Sequence, residues 1–307
     1  MKQFLLQRSL QALIAAFGVV TLVFFIQRLT GDPTALLLPE TATQADIEAM
    51  RVTLGLDRPL LIQYVDFICN IAQFDLGRSF VQNASVWEII SSRIPKTLLL
   101  AGGALIVALI IGLPLGLLMA LTAGRKISRW IMGVVLACQS MPTFWSGIMM
   151  ILVFGVWLRW LPSSGTGTLA HLVMPSIALG LLSLATYARI TRSAVMDELS
   201  KEYVRSARAR GVNTGRLVRK HLIRNSLIPV VSITALEISQ LLAGAVIVET
   251  VFAWPGLGLL TVQSIAARDF VLVQAVVLLG AFVTIAANLG ADILYSVIDR
   301  RVRIAVQ

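Results

Sequence analysis

Residues 189–225 read RITRSAVMDELSKEYVRSARARGVNTGRLVRKHLIRN, a basic stretch with an apolar run on either side. The stretch contains ten Lys/Arg and three Asp/Glu, so it carries seven of the ten formal positive charges of the chain. The neighbouring runs, 172–188 and 228–248, have about the length that a helix needs to cross a bilayer. A basic, helix-forming insert between two such runs is predicted either to orient the protein in the membrane or to contact a cytoplasmic partner. We predict that it does both.

The composition of the whole chain agrees with a membrane protein, because 57% of the residues are hydrophobic and only 14% are charged. A soluble globular protein needs far more polar surface than this. Five apolar runs have no charged residue, and a sixth contains only Glu237. A helix of roughly 20 residues crosses the hydrocarbon core of a bilayer. We therefore predict six membrane-spanning helices in the runs 9–27, 97–124, 130–158, 172–188, 228–248 and 270–291.

The distribution of Lys and Arg predicts the orientation of these spans. If the N-terminus is cytoplasmic, the inner segments hold 18 of the 26 Lys/Arg, whereas the two short outer loops hold only Arg159 and Arg268. Short cytoplasmic loops carry an excess of basic residues, so both termini are predicted to be cytoplasmic. The first run is interpreted as a retained anchor, because its 19 apolar residues are too many for a signal peptide and no small-residue cleavage site follows.

The segment between the first two spans has the composition of an ordered extracytoplasmic cap. Gly31-Asp32-Pro33 predicts a turn after the first span. Residues 42–54 are predicted to form a helix that Thr43 caps, and residues 60–71 a second short helix. The cysteines, Cys69 in this cap and Cys138 in the third span, are predicted to lie at different depths and not to pair.

Pro and Gly predict bends in two spans, at residues 112–116 and at Ser140-Met141-Pro142. Polar residues in spans three, five and six recur at spacings of three or four, which places them on one helix face. Such faces either join helices by hydrogen bonds or line a translocation path, and the sequence leaves both possibilities open. The candidate path residues are Gln139, Glu237, Gln240 and Asn288.

Within the basic insert, residues 194–210 are predicted to be one helix, supported by an ion pair between Asp197 and Lys201. Gly211 follows as the residue that ends a helix with positive φ. Asn213 or Thr214 is predicted to cap a second helix that starts near Gly215 and runs towards Asn225.

Three further roles fit the insert less well. Simple membrane anchoring accounts for its charge but not for its small residues. Nucleic-acid binding is disfavoured, because both ends continue into membrane spans and no set of base-stacking aromatic residues is present. A voltage sensor needs its arginines inside a span, and these lie outside one.

Several motifs of the chain together resemble the permeases of ATP-binding-cassette (ABC) importers, in the form of the peptide/nickel family. The insert sequence EYVRSARARG at 202–211, continued by HLIRN at 221–225, is similar to the "EAA" loop of that family. Further motifs occur in the same order: GDP at 31–33, LGLDRPL at 54–60, DLG at 75–77, SMP at 140–142, FAWPGLG at 252–258 and RDF at 268–270. Two departures are visible. Arg205-Ser206-Ala207 replaces the literal Glu-Ala-Ala, and Asp299-Arg300 replaces the Asp-Pro of the closing motif.

The resemblance implies a type I ABC importer permease, an all-α membrane protein with six transmembrane helices and a cytoplasmic coupling-helix insert. It implies an N-terminal unit, 1–96, with the anchor helix and extracytoplasmic segment, and a five-helix core, 97–307, with its coupling loop at 189–227. The implied place is the bacterial cytoplasmic (inner) membrane. The residues that would contact the ATPase are Glu202, Tyr203, Arg205, Ser206, Ala207, Arg208, Ala209 and Gly211.

The implied partners are the lipid bilayer, a second homologous permease subunit, cytoplasmic ATP-binding subunits and an extracytoplasmic solute-binding protein, with no nucleic acid. No G-x-x-x-x-G-K-[ST] motif occurs in the sequence, so ATP and Mg²⁺ are expected on a separate subunit, and no enzymatic activity is expected here. With two histidines and no C-x-x-C, no metal site is predicted in this chain. Dipeptides, oligopeptides, glutathione, nickel and nickel chelates all stay open as substrates. The rival classes are an ion-coupled secondary transporter, in which Glu237 and Asp292 would carry protons or cations, and a membrane scaffold.

Overall fold

The fold is known from a computed structural model, which describes residues 2–30, 43–53, 55–79, 81–218 and 222–298. Twelve α-helices, one π-helix and one two-stranded hairpin occur in these ranges. The N-terminal part of the chain contains α1 Lys2–Thr30, α2 Gln44–Thr53, α3 Leu60–Ala72, β1 Arg78–Ser79 and β2 Ala84–Ser85. The rest of the chain contains α4 Val86–Leu121, α5 Lys126–Ser140, α6 Thr143–Met150, α7 Leu169–Ser200, α8 Glu202–Ala209, α9 Thr214–Leu217, α10 Ile223–Val251, α11 Leu257–Ala266 and α12 Phe270–Ile298.

Each of the six apolar runs is mainly helical in this structure. Four helices are long and apolar enough to cross a membrane as single elements, and these are α1, α4, α7 and α12. Two bent helix pairs bring the number to six where each pair is counted as one span. One pair is α5 with α6 and its π-helical continuation Ile151–Trp157, bent by 99°, and the other consists of the two halves of α10, bent by 44°. The predicted bend at Ser140-Met141-Pro142 is confirmed, because helix α5 ends at Ser140 and α6 begins at Thr143.

The second predicted bend, at residues 112–116, does not break the helix, because α4 continues through Pro114. The glycines there serve a close helix–helix contact instead. A Cβ added to Gly112 would lie 2.9 Å from the Tyr187 Cβ, and one added to Gly116 would lie 2.6 Å from the Thr191 Cβ. Small residues let two helices approach until their backbones touch, which is a common form of packing in membranes. The small residues of α4 that are buried in this way are Ala101, Ala104, Ala108, Gly112 and Gly116.

The main core forms where α4, α7 and α10 meet. Its centre contains Leu100 of α4, Leu179 of α7 and Leu241 of α10, and each is at most 1% exposed. A separate cluster joins α4 to α11 and α12 through Ile90, Leu260 and Leu272. Helix α1 stands at the side and packs on α12 and α3, where the Thr21 Oγ1 and Tyr64 hydroxyl atoms are 2.5 Å apart.

The segment between α1 and α4 agrees in part with its prediction. Thr43 caps α2, because the backbone N–H of Asp46 donates to Thr43 Oγ1 at 3.3 Å, and α3 coincides with the second predicted helix. The strands β1 and β2 were not predicted, since two residues per strand are too few for an alternating pattern. The predicted turn at 31–33 and the motif at Asp299 lie outside the described residues.

Candidate functional site

The basic insert leaves α7 through a sharp change of backbone direction. Helix α7 ends at Ser200, and Lys201 is extended with φ −72° and ψ 149° before α8 begins at Glu202. The single helix predicted over 194–210 is therefore wrong, because Lys201 interrupts it. Helix α8 ends near Arg210, and Gly211 follows with φ +78°, as predicted for a residue that ends a helix.

The second helix of the insert begins at Thr214, close to the predicted start at Gly215, and α9 covers Thr214–Leu217. The middle of the predicted helix, residues 219–221, lies outside the described residues. Asn213 caps α9 as predicted, because the Asn213 Oδ1 atom accepts a hydrogen bond of 3.1 Å from the backbone N–H of Gly215. The cap holds the turn after Gly211 in place and sets the direction of α9.

Helix α8 has a buried face and an exposed face. Val204 and Ala207 are buried against Leu217 and Leu222, which fixes the helix to the rest of the insert. Tyr203 is half-buried on the same side. The exposed residues are Glu202, Arg205, Ser206, Arg208, Ala209, Arg210 and Gly211. Six of the eight predicted contact residues thus face outward, whereas Tyr203 and Ala207 face inward.

The exposed face of α8 has the chemistry of a surface that binds carboxylates. Arg205, Arg208 and Arg210 present guanidinium groups, which form paired hydrogen bonds with carboxylates. Apart from Gly211 itself and its two chain neighbours, no described residue has an atom within 4 Å of the position that a Cβ would take on Gly211, so the backbone is open to close approach at this corner. The exposed guanidinium groups and the accessible backbone of Gly211 therefore occur together at the C-terminal end of α8.

Glu198, in the last turn of α7, connects the two ends of the insert. Its carboxylate forms an ion pair with Lys201, and its Oε2 atom accepts hydrogen bonds from the Tyr203 hydroxyl at 2.7 Å and from Asn225 Nδ2 at 3.2 Å. Burial, together with the hydrogen bond to Glu198, raises the pKa of the Tyr203 hydroxyl. The predicted pair of Asp197 with Lys201 is wrong, because Lys201 lies beyond the end of α7 and folds back onto Glu198.

The four candidate path residues differ in their surroundings. Glu237 is 3% exposed in the middle of α10, whereas Gln240, one turn later, is exposed. Gln139, at the end of α5, is half-buried, and Asn288 of α12 is exposed. The cavities beside α5 and between α4, α7 and α10 are lined by other residues.

Glu237 lies between α10 and α7. Its carboxylate faces the hydroxyl groups of Ser183 and Thr186, and its Oε2 atom has no hydrogen-bond partner among the described residues. One turn away, the Tyr187 hydroxyl donates to Thr234 Oγ1 at 3.2 Å. Within the chain, these polar side chains connect α7 to α10.

Glu249, near the end of α10, is an important residue that the sequence patterns did not predict. It is completely buried, and its carboxylate accepts hydrogen bonds from Thr97 Oγ1 at 2.6 Å, from the Gly258 backbone N–H at 2.6 Å and from the Leu259 backbone N–H at 3.1 Å. The two N–H groups belong to the first turn of α11, where a negative charge is favourable. A further hydrogen bond of 2.9 Å joins Trp254 Nε1 to the Lys96 carbonyl. Glu249 therefore holds α4, α10 and α11 together.

The sequence contained a signal for Glu249. It is an acid directly after the apolar run 228–248, and it precedes two glycines, Gly256 and Gly258. A Cβ on either glycine would collide with neighbouring atoms, and at Gly256 those atoms are the Glu249 carboxylate itself. Glycine is therefore required for the close approach of this loop to the buried acid.

Comparison with protein families assigns this architecture. The family model described as "Binding-protein-dependent transport system inner membrane component" matches residues 112–304, and the N-terminal model of the same systems matches residues 1–101. The chain belongs to this family. It is an inner-membrane permease of the peptide ABC importers, and it is a multi-pass membrane protein.

Three curated relatives are similar to the permease over nearly its whole length. The di/tripeptide transport system permease DppB of Pseudomonas aeruginosa is 38% identical and covers 96% of this chain and 97% of its own. The glutathione transport system permease GsiC of Escherichia coli K12 is 39% identical, with 99% of each chain covered. The oligopeptide transport system permease AppB of Bacillus subtilis is 36% identical and covers 98% of this chain and 99% of its own.

Solved structures show the fold of the permease. A chain of the MetNI methionine ABC transporter in inward-facing conformations superposes with a TM-score of 0.59 and 20% identity. The match covers 69% of the permease and 96% of the MetNI chain. The predicted fold class, an all-α permease of the type I ABC importer kind, is confirmed.

Proposed function

We propose that this permease is one of two related transmembrane subunits of an ATP-driven importer, and that a separate cytoplasmic ATPase subunit docks on α8. The exposed face of α8 carries the proposal. It combines three guanidinium groups with the open corner at Gly211, and its opposite face is fixed by Val204 and Ala207. A partner with carboxylates around a shallow groove fits this surface.

The proposed mechanism transmits motion through the insert. ATP binding closes the ATPase dimer and displaces α8, whose two ends continue into the membrane through α7 and α10. The helix bundle then changes from inward-open to outward-open. Such coupling is thermodynamic and reciprocal. The substrate-loaded binding protein on the outer side and ATP on the cytoplasmic side must therefore favour the same global state of the importer. This scheme requires the termini and the insert to be cytoplasmic.

The proposed cargo is a short peptide. The three relatives are named for di/tripeptides, glutathione and oligopeptides, and glutathione is itself a tripeptide. Gln240 and Asn288 are exposed residues of the candidate path, and their amide side chains suit a substrate with amide groups and charged ends. Uptake of a labelled dipeptide, with unlabelled oligopeptide, glutathione or nickel chelate as competitor, ranks the candidate substrates.

The decisive experiment uses membrane vesicles that contain the whole importer. Uptake is expected to need ATP on the side of the membrane where the ATPase is bound. It is expected to persist when ion gradients are dissipated. The ATPase subunit is expected to copurify with the tagged permease. Uptake that follows a proton or sodium gradient without ATP would identify a secondary transporter and refute the proposal.

A further inference from the structure

We infer that Glu198 is the positioning residue that connects α8 to both adjoining membrane helices, so that a displacement of α8 moves α7 and α10 together. The inference rests on the proposed function, in which an ATPase docks on α8. It concerns how the docked helix is attached to the transporter, and it names a residue outside the exposed contact face.

The contacts of Glu198 come from three different elements. The residue itself belongs to α7, Tyr203 to the first turn of α8, and Asn225 to the first turn of α10. Glu198 and Asn225 are 27 residues apart in sequence, so one carboxylate joins the chain where it enters the insert to the chain where it leaves.

Backbone connectivity alone does not fix α8. The link between α7 and α8 is the single extended residue Lys201, and rotation about its φ and ψ would allow α8 to pivot. The Glu198 carboxylate binds the link itself, through the Lys201 ammonium group, and a residue beyond the link, through the Tyr203 hydroxyl. A displacement of α8 is thereby transmitted to α7 and is not absorbed by rotation at Lys201.

Local helix stability does not account for an acid at this position. A negative charge in the last turn of a helix is opposed by the helix dipole, and Glu198 is also buried, being only 7% exposed. Asp197, the preceding residue, has the same charge in the same helix turn but is exposed. The contacts to α8 and α10 distinguish the two acids, so Asp197 provides a matched control.

The test compares Glu198→Gln with Asp197→Asn in the complete importer, reconstituted in liposomes with its ATPase and its binding protein. Three quantities are measured: the ATPase retained in the purified complex, the rate of ATP hydrolysis, and the peptide taken up per ATP hydrolysed. For Glu198→Gln we expect an intact complex that hydrolyses ATP, with uptake per ATP reduced about tenfold, the scale of one lost charge-assisted hydrogen bond. Asp197→Asn is expected to match the wild type.

A second variant guards against a folding defect. Tyr203→Phe keeps the ring and removes one hydrogen bond to Glu198, so uptake per ATP should fall about threefold. Wild-type uptake per ATP in both Glu198→Gln and Tyr203→Phe would overturn the inference. So would a Glu198→Gln complex that loses its ATPase while Tyr203→Phe couples normally, because Glu198 would then serve only docking or folding. If the wild-type importer itself takes up peptide without ATP, the proposed function fails instead.

Discussion

Gly211 shows how one backbone angle prepares a surface for a partner. Its φ of +78° costs an L-residue about 1–2 kcal/mol, and a Cβ added to it would project into open space. Gly211→Val is therefore expected to strain the turn and to obstruct docking, because the added side chain projects from the protein. We expect normal membrane insertion with a sharp loss of uptake and of copurifying ATPase.

The control for this prediction is Gly124, which precedes α5. It also has positive φ, +83°, and no atom of the described structure lies within 4 Å of its added Cβ. Gly124→Val imposes the same kind of local strain but should leave ATPase binding intact. Equal losses in the two variants, or undiminished uptake in Gly211→Val, would contradict the role of the corner in docking.

Glu237 has surroundings that favour a role in packing. Its burial between α10 and α7 leads us to expect normal assembly and uptake in Glu237→Gln, because an amide keeps the shape and the hydrogen-bonding ability of the acid. Glu237→Leu should weaken assembly by about 1–2 kcal/mol, the scale of an interhelical hydrogen bond in a membrane. Yield and uptake are measured together for each variant. A changed preference of Glu237→Gln between charged and neutral peptides would instead place this residue on the translocation path.

At the scale of elements, α11 depends on contacts with α4 and α10. Replacing Thr97 with Val removes two hydrogen bonds, because Thr97 Oγ1 donates to Glu249 and accepts from the Leu257 backbone N–H at 2.8 Å. We expect a loss of about 2–3 kcal/mol, since a buried carboxylate loses a partner. Thr250→Val is the control, because the Thr250 hydroxyl bonds only within its own helix in the described structure. Thermal stability in detergent measures both variants, and an equal effect would show that Glu249 does not hold α11.

At the scale of the whole molecule, the charge distribution predicts which side of the membrane each segment faces. Cysteines at the exposed positions Gln82 and Arg216 report this in a background with Cys69→Ser and Cys138→Ala. An impermeant thiol reagent should label Gln82→Cys in intact cells and Arg216→Cys only after permeabilisation. The reverse pattern would show that the permease has the opposite orientation, with α8 on the side of the membrane where the ATPase is absent.

The sequence predicted the features that depend on composition and on chain-local signals. The apolar runs, the Met141-Pro142 break, the Thr43 cap and the positive φ of Gly211 all follow from residue type alone. The partners of Glu198 and Glu249 did not follow, because each carboxylate is satisfied by groups distant in sequence. The start of α4 at Val86 was missed for a related reason. The first turns of this helix contain Glu88 and Arg93. The spans were predicted from runs without charged residues, so the predicted span began only at Thr97.

The close contact between α4 and α7 determines how far a tilt at one end of α7 displaces its other end. The glycines at the contact bring the two helix backbones close together, so we expect the two helices to move together. With 32 residues, α7 is about 48 Å long. A rotation of only about 10° about one end would move the other end by about 8 Å, given this length. In the proposed mechanism, a small tilt of α7 beneath α8 would therefore move the opposite end of this helix by several ångströms.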